Sequence, residues 1–241
     1  MIKFFRKIRQ KLLSENKFSK YLIYATGEII LVVVGILIAL QINNANENRK
    51  TENIKINYYN QLVVDLDKEI ENINSRIIFL DSCIITSDRY FKYIETPNLE
   101  TIQIFEELVK VELNFRYLAF NTNTIQTLES TGDIKLMPEN IRNSLIELKR
   151  EQEQNQRVAK GNYEIYLNAQ QKASQLGYGR LFSKKPKASE IDVTKNIPEI
   201  TLTLEAGFIL KNFTDKLIRD SFQKMLTDIN NIKELINQEI K

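Results

Sequence analysis

Histidine and tryptophan are missing from this chain altogether, and its 241 residues include one cysteine, four prolines and seven glycines. Each shortage closes something. Without His, the commonest general base, proton shuttle and metal ligand are gone. With Cys83 alone, no intramolecular disulfide can form, and a cysteine-based zinc site has too few ligands. Scarce Pro and Gly argue against disorder and against a turn-rich β fold, and they suit long helices. The acid pairs Asp65/Asp67 and Glu106/Glu107 have no matching second pair, so they read as solvated faces. No glycine-rich phosphate loop is present. The expectation is a non-enzyme with no metal and no cofactor.

What is abundant is charge, and it is unevenly placed. Residues 1–20 hold seven Lys or Arg against the single acid Glu15. From Gln41 onward acids slightly outnumber bases, so the basicity belongs to the tail. A nucleic-acid-binding domain needs a basic face of its own, and nucleic acid is set aside as a partner. After the tail, Ile29 to Leu40 is an uninterrupted run of apolar residues and Gly. Extended back to Tyr21 and on to Ile42 it spans 22 residues, or ~33 Å of helix, which matches a hydrocarbon core of about 30 Å. No small-x-small cleavage site follows Leu40, which predicts an uncleaved signal anchor.

The charge asymmetry puts the N-terminus in the cytoplasm and the remainder outside. The organisation expected is a basic tail over 1–20, a transmembrane helix over 21–42 and an extracytoplasmic helical domain over 43–241. The location expected is a bacterial inner membrane with a periplasmic domain, and the bilayer is the first partner. Within the span, Tyr21, Tyr24, Glu28, Gly35 and Ala39 fall within about 40° of one stripe. Gly35-x-x-x-Ala39 permits close helix approach, and Glu28 is an ionisable residue that anchoring does not require.

The run Tyr24-Ala-Thr-Gly-Glu-Ile-Ile-Leu-Val-Val-Val-Gly-Ile-Leu-Ile-Ala-Leu-Gln-Ile-Asn-Asn, preceded by Met1-Ile-Lys-Phe-Phe-Arg-Lys-Ile-Arg, resembles a domain-of-unknown-function family of single-pass proteins seen mainly in Bacteroidota. Thr124 to Leu136 resembles that family's midsection. Ala45 stands where the family commonly has Trp. The resemblance implies location and architecture; it brings no activity and no catalytic residues.

Past the span, Ile56, Tyr59, Val63, Leu66, Ile70, Ile73, Ile77, Leu80, Ile84, Phe91 and Ile94 keep a heptad spacing, with Ser87 the polar exception. This predicts a helix from Thr51 to Glu95, ended by Thr96-Pro97. Leu62, Val64, Ile78 and Ile85 widen its apolar face, which favours a multi-helix bundle over an intermolecular coiled coil. A shorter helix is expected over Leu99–Leu118, then loop and cap chemistry at Asn121–Thr124 and a turn at Ser130–Asp133. A third long helix is expected from Pro138 to Leu176. Gly177–Pro198, with the lysines Lys184, Lys185 and Lys187, reads as an irregular loop, and a last helix is expected over Leu202–Ile240. The fold class is therefore all-α: one membrane helix followed by an up-down bundle.

Polar residues interrupt the seam of the third helix at Gln152, Asn155 and Asn162, with Ala159 between. Such residues fix register, face water or line a ligand cavity. Cys83, between Leu80 and Ile84, reads as a buried inert thiol. Three functions are expected candidates. The leading one is a protein-binding or scaffolding module for another membrane or envelope protein, or for a second copy. The others are a single-span subunit of a proton-coupled complex using Glu28, and a small-ligand sensor. The Glu28→Gln variant separates the first two: unchanged growth and assembly would sink proton coupling.

Overall fold

The computed structural model describes residues 18–111, 115–182 and 192–240. Most of the basic tail and the lysines at 184, 185 and 187 lie outside the described residues. Among the described residues every regular element is a helix. The chain divides into two compact units, Met1–Asn57 and Tyr58–Lys241.

The described part of the first unit lies within helix α1, Phe18–Ile94. By length and composition α1 can cross a membrane: its most apolar window has a mean hydropathy of 2.4, and none of that window is buried within the protein. Gly35 and Ala39 are exposed, and a Cβ at Gly35 would meet nothing within 4 Å. The two separate helices expected on either side of residues 43–50 are one. That stretch holds neither Pro nor Gly, and each of its asparagines costs a helix only about 0.7 kcal/mol. Pairs three residues apart, Lys50 with Glu47 and Lys55 with Glu52, support it at 2.9 and 3.0 Å.

The second unit is built from the rest of α1, then α2 (Thr101–Leu108), α3 (Asn123–Thr131), a 3-10 turn (Asp133–Leu136), α4 (Glu139–Gln175), the short α5 (Tyr178–Leu181), a 3-10 turn (Thr194–Asn196) and α6 (Ile197–Ile240). Cross-links fix the directions. Between α1 and α6, Asp67 meets Lys233, Asp81 meets Arg219 at 3.7 Å and Asp88 meets Lys216 at 2.8 Å. Between α4 and α6, Glu151 meets Lys224, Asn155 meets Ser221 at 2.8 Å and Lys172 meets Glu199 at 3.8 Å. In both sets one number rises as the other falls, so α6 runs antiparallel to α1 and to α4. Exposed pairs of this kind contribute at most about 1 kcal/mol each; they report register more than they hold it.

Burial holds it. Tyr59, Leu62, Leu66 and Ile73 of α1, Leu128 of α3, Ile141, Leu145 and Leu148 of α4, and Phe222, Met225, Ile229, Ile232 and Ile236 of α6 form one core, nearly all of it inaccessible to water. Each such Leu or Ile contributes about 1.5–3 kcal/mol. A second core gathers Tyr90, Phe105, Leu108, Ala173, Ile200, Leu204 and Phe208. Tyr90 and Phe208 meet edge to face there at 5.4 Å. Burial, reinforced by the carboxylate of Glu205 that accepts its hydroxyl at 2.7 Å, pushes the Tyr90 phenol well above its ordinary pKa. Cys83 is buried, as expected. Ser87, also buried, donates to the Cys83 carbonyl at 2.8 Å, so the polar exception in the seam is satisfied within its own helix.

Three expectations need correction. Val64, Ile78 and Ile85 are exposed; of the four residues thought to widen the face, Leu62 alone is buried. The helix expected over Leu99–Leu118 is only Thr101–Leu108, and Phe115 to Thr122 is not helical. This return leg runs antiparallel to α1 because α1 side chains take its backbone. Arg76 Nη2 donates to the Tyr117 carbonyl at 2.9 Å and Asn72 Nδ2 to the Ala119 carbonyl at 3.1 Å. The Asn121 N–H donates to Glu69 Oε2 at 2.8 Å. Asp65, expected on a solvated face, instead accepts from the Thr124 N–H at 3.3 Å and hydroxyl at 2.5 Å, capping α3 from across the interface.

Glu69 is buried, and desolvation lifts its carboxyl above the ordinary range despite the lowering effect of Asn121, Asn72 and Arg76. A carboxyl whose folded pKa is raised stabilises the fold fully below its unfolded pKa and loses that contribution as pH rises through the folded one. The wild-type chain is therefore expected to lose stability relative to Glu69→Gln as pH rises from about 4 to 7. Urea midpoints of the two proteins across that range provide the check, and a gap moving the other way would refute it.

Candidate functional site

The seam polarity of α4 comes to a point where α4 and α6 part. At Gly207 the two helices are close: a Cβ there would lie 2.9 Å from that of Ala169. Further along, a cavity of about 950 Å³ opens among α1, the return leg, α4 and α6. Its wall is mainly apolar, with Phe79, Leu80, Phe115, Leu118, Ala159, Leu167, Ile218 and Phe222 contributing. Small Ala159 is part of that wall on α4.

Two polar features are set into this wall. Lys211 is 3% exposed and ion-paired with Asp215 one turn on along α6. Its ammonium also stands 5.1 Å from the centre of the Phe115 ring. Burial lifts the Asp215 carboxyl above its ordinary range, and Lys211 draws it back down. The other feature is Asn162. It is buried, and its Oδ1 has no hydrogen-bond partner. A buried polar atom left without a partner costs about 1–3 kcal/mol, a cost Asn162 shares with Gln152 on the same helix.

Cations gather on one side. Arg116 lies over the Phe79 ring at 4.4 Å. Arg76, one turn before Phe79 on α1, is held to Asn72 at 3.0 Å and to the Tyr117 carbonyl. Desolvation lowers the pKa of the Arg76 guanidinium, Glu69 opposes this, and the neighbouring charge of Arg116 adds to it. Lys160 and Arg157 also line the opening, with Glu153 and Glu164 as the acids of that rim. Phe115, between the two groups, packs against Tyr163 at 4.9 Å and Tyr166 at 4.7 Å.

Of the three seam residues singled out from sequence, Asn162 alone lines the cavity. Asn155 is buried, and its amide donates to the Glu151 carbonyl at 3.0 Å and to Ser221 Oγ at 2.8 Å, tying α4 to α6. Gln152 is buried with neither side-chain polar atom partnered. Glu28, Gly35 and Ala39 belong to the first unit and take no part in this site. Lys211 and Asp215 were missed, although the signal was present. The α6 seam continues backward from Phe222 and Ile218 to Asp215, Lys211 and Phe208, so two charged residues sit on an apolar stripe just as the polar amides do on α4. Among the described residues no group of three acids or cysteines is placed to hold a metal.

A model of a family of unknown function (DUF6090) matches residues 28–185. The chain belongs to that family. No curated protein and no solved structure matched. The match covers the parts of the cavity contributed by α1, the return leg and α4, while Lys211 and Asp215 lie beyond it.

Removing one member of a buried ion pair strands the other charge. Lys211→Met is expected to destabilise the full chain by about 3–5 kcal/mol, whereas Lys211→Met combined with Asp215→Leu recovers most of the loss. Chemical denaturation of the three proteins measures this. A double variant no more stable than the single one would show that the pair itself holds the fold.

Proposed function

We propose that this is a membrane-anchored, non-enzymatic protein whose second unit binds a small molecule in the cavity between α4 and α6. The observation that carries this is Asn162: a buried, unpartnered acceptor on the wall of a roomy, mainly apolar cavity, opposite a charged pair that ordinary core packing does not require. Ligand sites have this make-up, an apolar lining with few, placed polar groups. In this reading Leu22 to Ile42 spans a bacterial inner membrane as an uncleaved anchor. The basic tail faces the cytoplasm, and the second unit is an up-down bundle outside it. The charge asymmetry about the span and the exposed apolar length of α1 support this.

A second reading, a protein-binding or scaffolding module, draws on α6. Leu202, Ile209, Phe213 and Leu217 are all about half exposed or more, and their spacing puts them on one stripe of that helix. Exposed apolar stripes of this kind mark interaction surfaces more often than chance.

The two readings separate experimentally. Ligand classes are screened by thermal shift on the full chain and on Ala159→Trp, which puts a bulky ring into the cavity from its α4 wall. A compound that raises Tm of the wild type and leaves the variant unmoved supports ligand binding; the absence of any such compound across classes counts heavily against it. In vivo crosslinking from Phe213 tests the α6 stripe. Alkaline phosphatase joined after Lys241 is expected to be active, and inactive phosphatase there would reverse the topology.

A further inference from the structure

The cavity's charges are not symmetrical, and their placement narrows the ligand. The walls between the ends are aromatic and aliphatic. Arg76 and Arg116 converge on one side of Phe79: Arg116 lies over its ring, and Arg76 sits one helical turn before it while binding the carbonyl of Tyr117, the residue after Arg116. Among the described residues Arg116 has no ion pair or hydrogen bond. Lys160 adds a third positive charge to the rim, exposed and likewise without an ion pair among the described residues. Glu69 offsets part of the charge of Arg76, whereas Arg116, which adds to it, has no carboxylate partner among the described residues, and an anion placed beside Arg116 gains charge-assisted hydrogen bonds. Of the acids of the lining, Asp215 is engaged by Lys211 and Glu153 lies within ion-pair reach of Arg157 and Lys149, while Glu164 is exposed on the rim.

We infer that the cavity takes an anionic amphiphile, a single-chain carboxylate whose head lies between Arg76 and Arg116 and whose apolar body lies along Phe79, Phe115 and Phe222. This rests on the ligand-binding reading above and specifies its chemical class. Arginine suits the head better than lysine because its planar fork matches a carboxylate. The volume accommodates a molecule of ordinary ligand size. A chain with an apolar span already lies beside a reservoir of such molecules, so the test has to distinguish the cavity from the bilayer.

The experiment uses the full chain in nanodiscs of zwitterionic lipid, with two photoreactive probes of equal chain length: a diazirine-bearing fatty acid and the corresponding fatty alcohol. Labelled peptides are located by mass spectrometry. The fatty acid is expected to label peptides carrying Phe79, Phe115 or Phe222. Arg116→Gln, an exposed position with no ion pair or hydrogen bond to lose among the described residues, is expected to lower that labelling at least tenfold, while the alcohol labels weakly and equally in both proteins. Ala159→Trp is expected to abolish cavity labelling, with circular dichroism melting confirming that it folds. Fatty-acid labels confined to Leu22–Ile42 would mean bilayer partition only and would overturn the inference. Acid and alcohol labelling the cavity equally, with no effect of Arg116→Gln, would overturn the anionic head while leaving ligand binding in place.

Discussion

Seven residues, Phe115 to Asn121, lead toward α3 without helical hydrogen bonds of their own, and much of the second unit depends on how their backbone is satisfied. Much of the leg is exposed, so water could serve these groups, yet α1 provides partners in order along its length. Arg76 takes Tyr117, Asn72 takes Ala119, Glu69 takes Asn121 and Asp65 takes Thr124. From α4, Gln156 adds a bond to the Leu118 carbonyl at 3.3 Å. Because the leg is not helical, it is thin. A helix in its place would fill more of the space between α1 and α4, and the cavity beneath Phe115 would shrink. The polar residues of α1 that look like ordinary surface thus define the empty volume.

That arrangement puts charge where helices usually keep hydrocarbon. Glu69, Lys211 and Asp215 are all buried, and burying an ion pair seldom raises stability above what a hydrophobic replacement achieves. The aliphatic core carries the energetic burden instead, from Tyr59 to Leu80 on α1 and from Ile218 to Ile236 on α6. The polar residues select one arrangement from several that such a core tolerates. Asn155 bonding Ser221 favours one register between α4 and α6; a slip of one turn would break that bond and leave the buried Asn155 amide only the Glu151 carbonyl of its own helix.

Much of this was legible beforehand. A heptad spacing is a strong signal over many turns, and nearly every residue placed on the α4 seam, from Ile141 to Ala173, lies inside. The boundaries at Pro97, Gly132 and Pro138 follow from backbone chemistry that one residue settles; Gly132 indeed ends α3 with a φ of 78°. The return leg was not legible, because its conformation is imposed by carboxylates and amides forty to sixty positions away, and periodicity carries no record of them. The apolar residues Val64, Ile78 and Ile85 misled for a related reason: pattern shows which faces are apolar, not how many neighbours arrive to cover them. On the site, the amide seam pointed to α4 but not to its partner. Lys211 and Asp215 continue the apolar stripe of α6, and the Phe115 ring of the return leg lies beside the Lys211 ammonium.

Gly207 carries a consequence of another sort. With no side chain at this position, α6 meets Ala169 and the Tyr166 backbone directly, and the two helices form a wedge whose apex is a missing methyl group. One turn further along stands Lys211, already within the opening. The aperture is thus set at a point no ligand touches. A one-carbon change at the apex would push α6 away from Ala169 and shift the lining residues it carries, so the width of the cavity depends on this backbone approach as well as on its side chains.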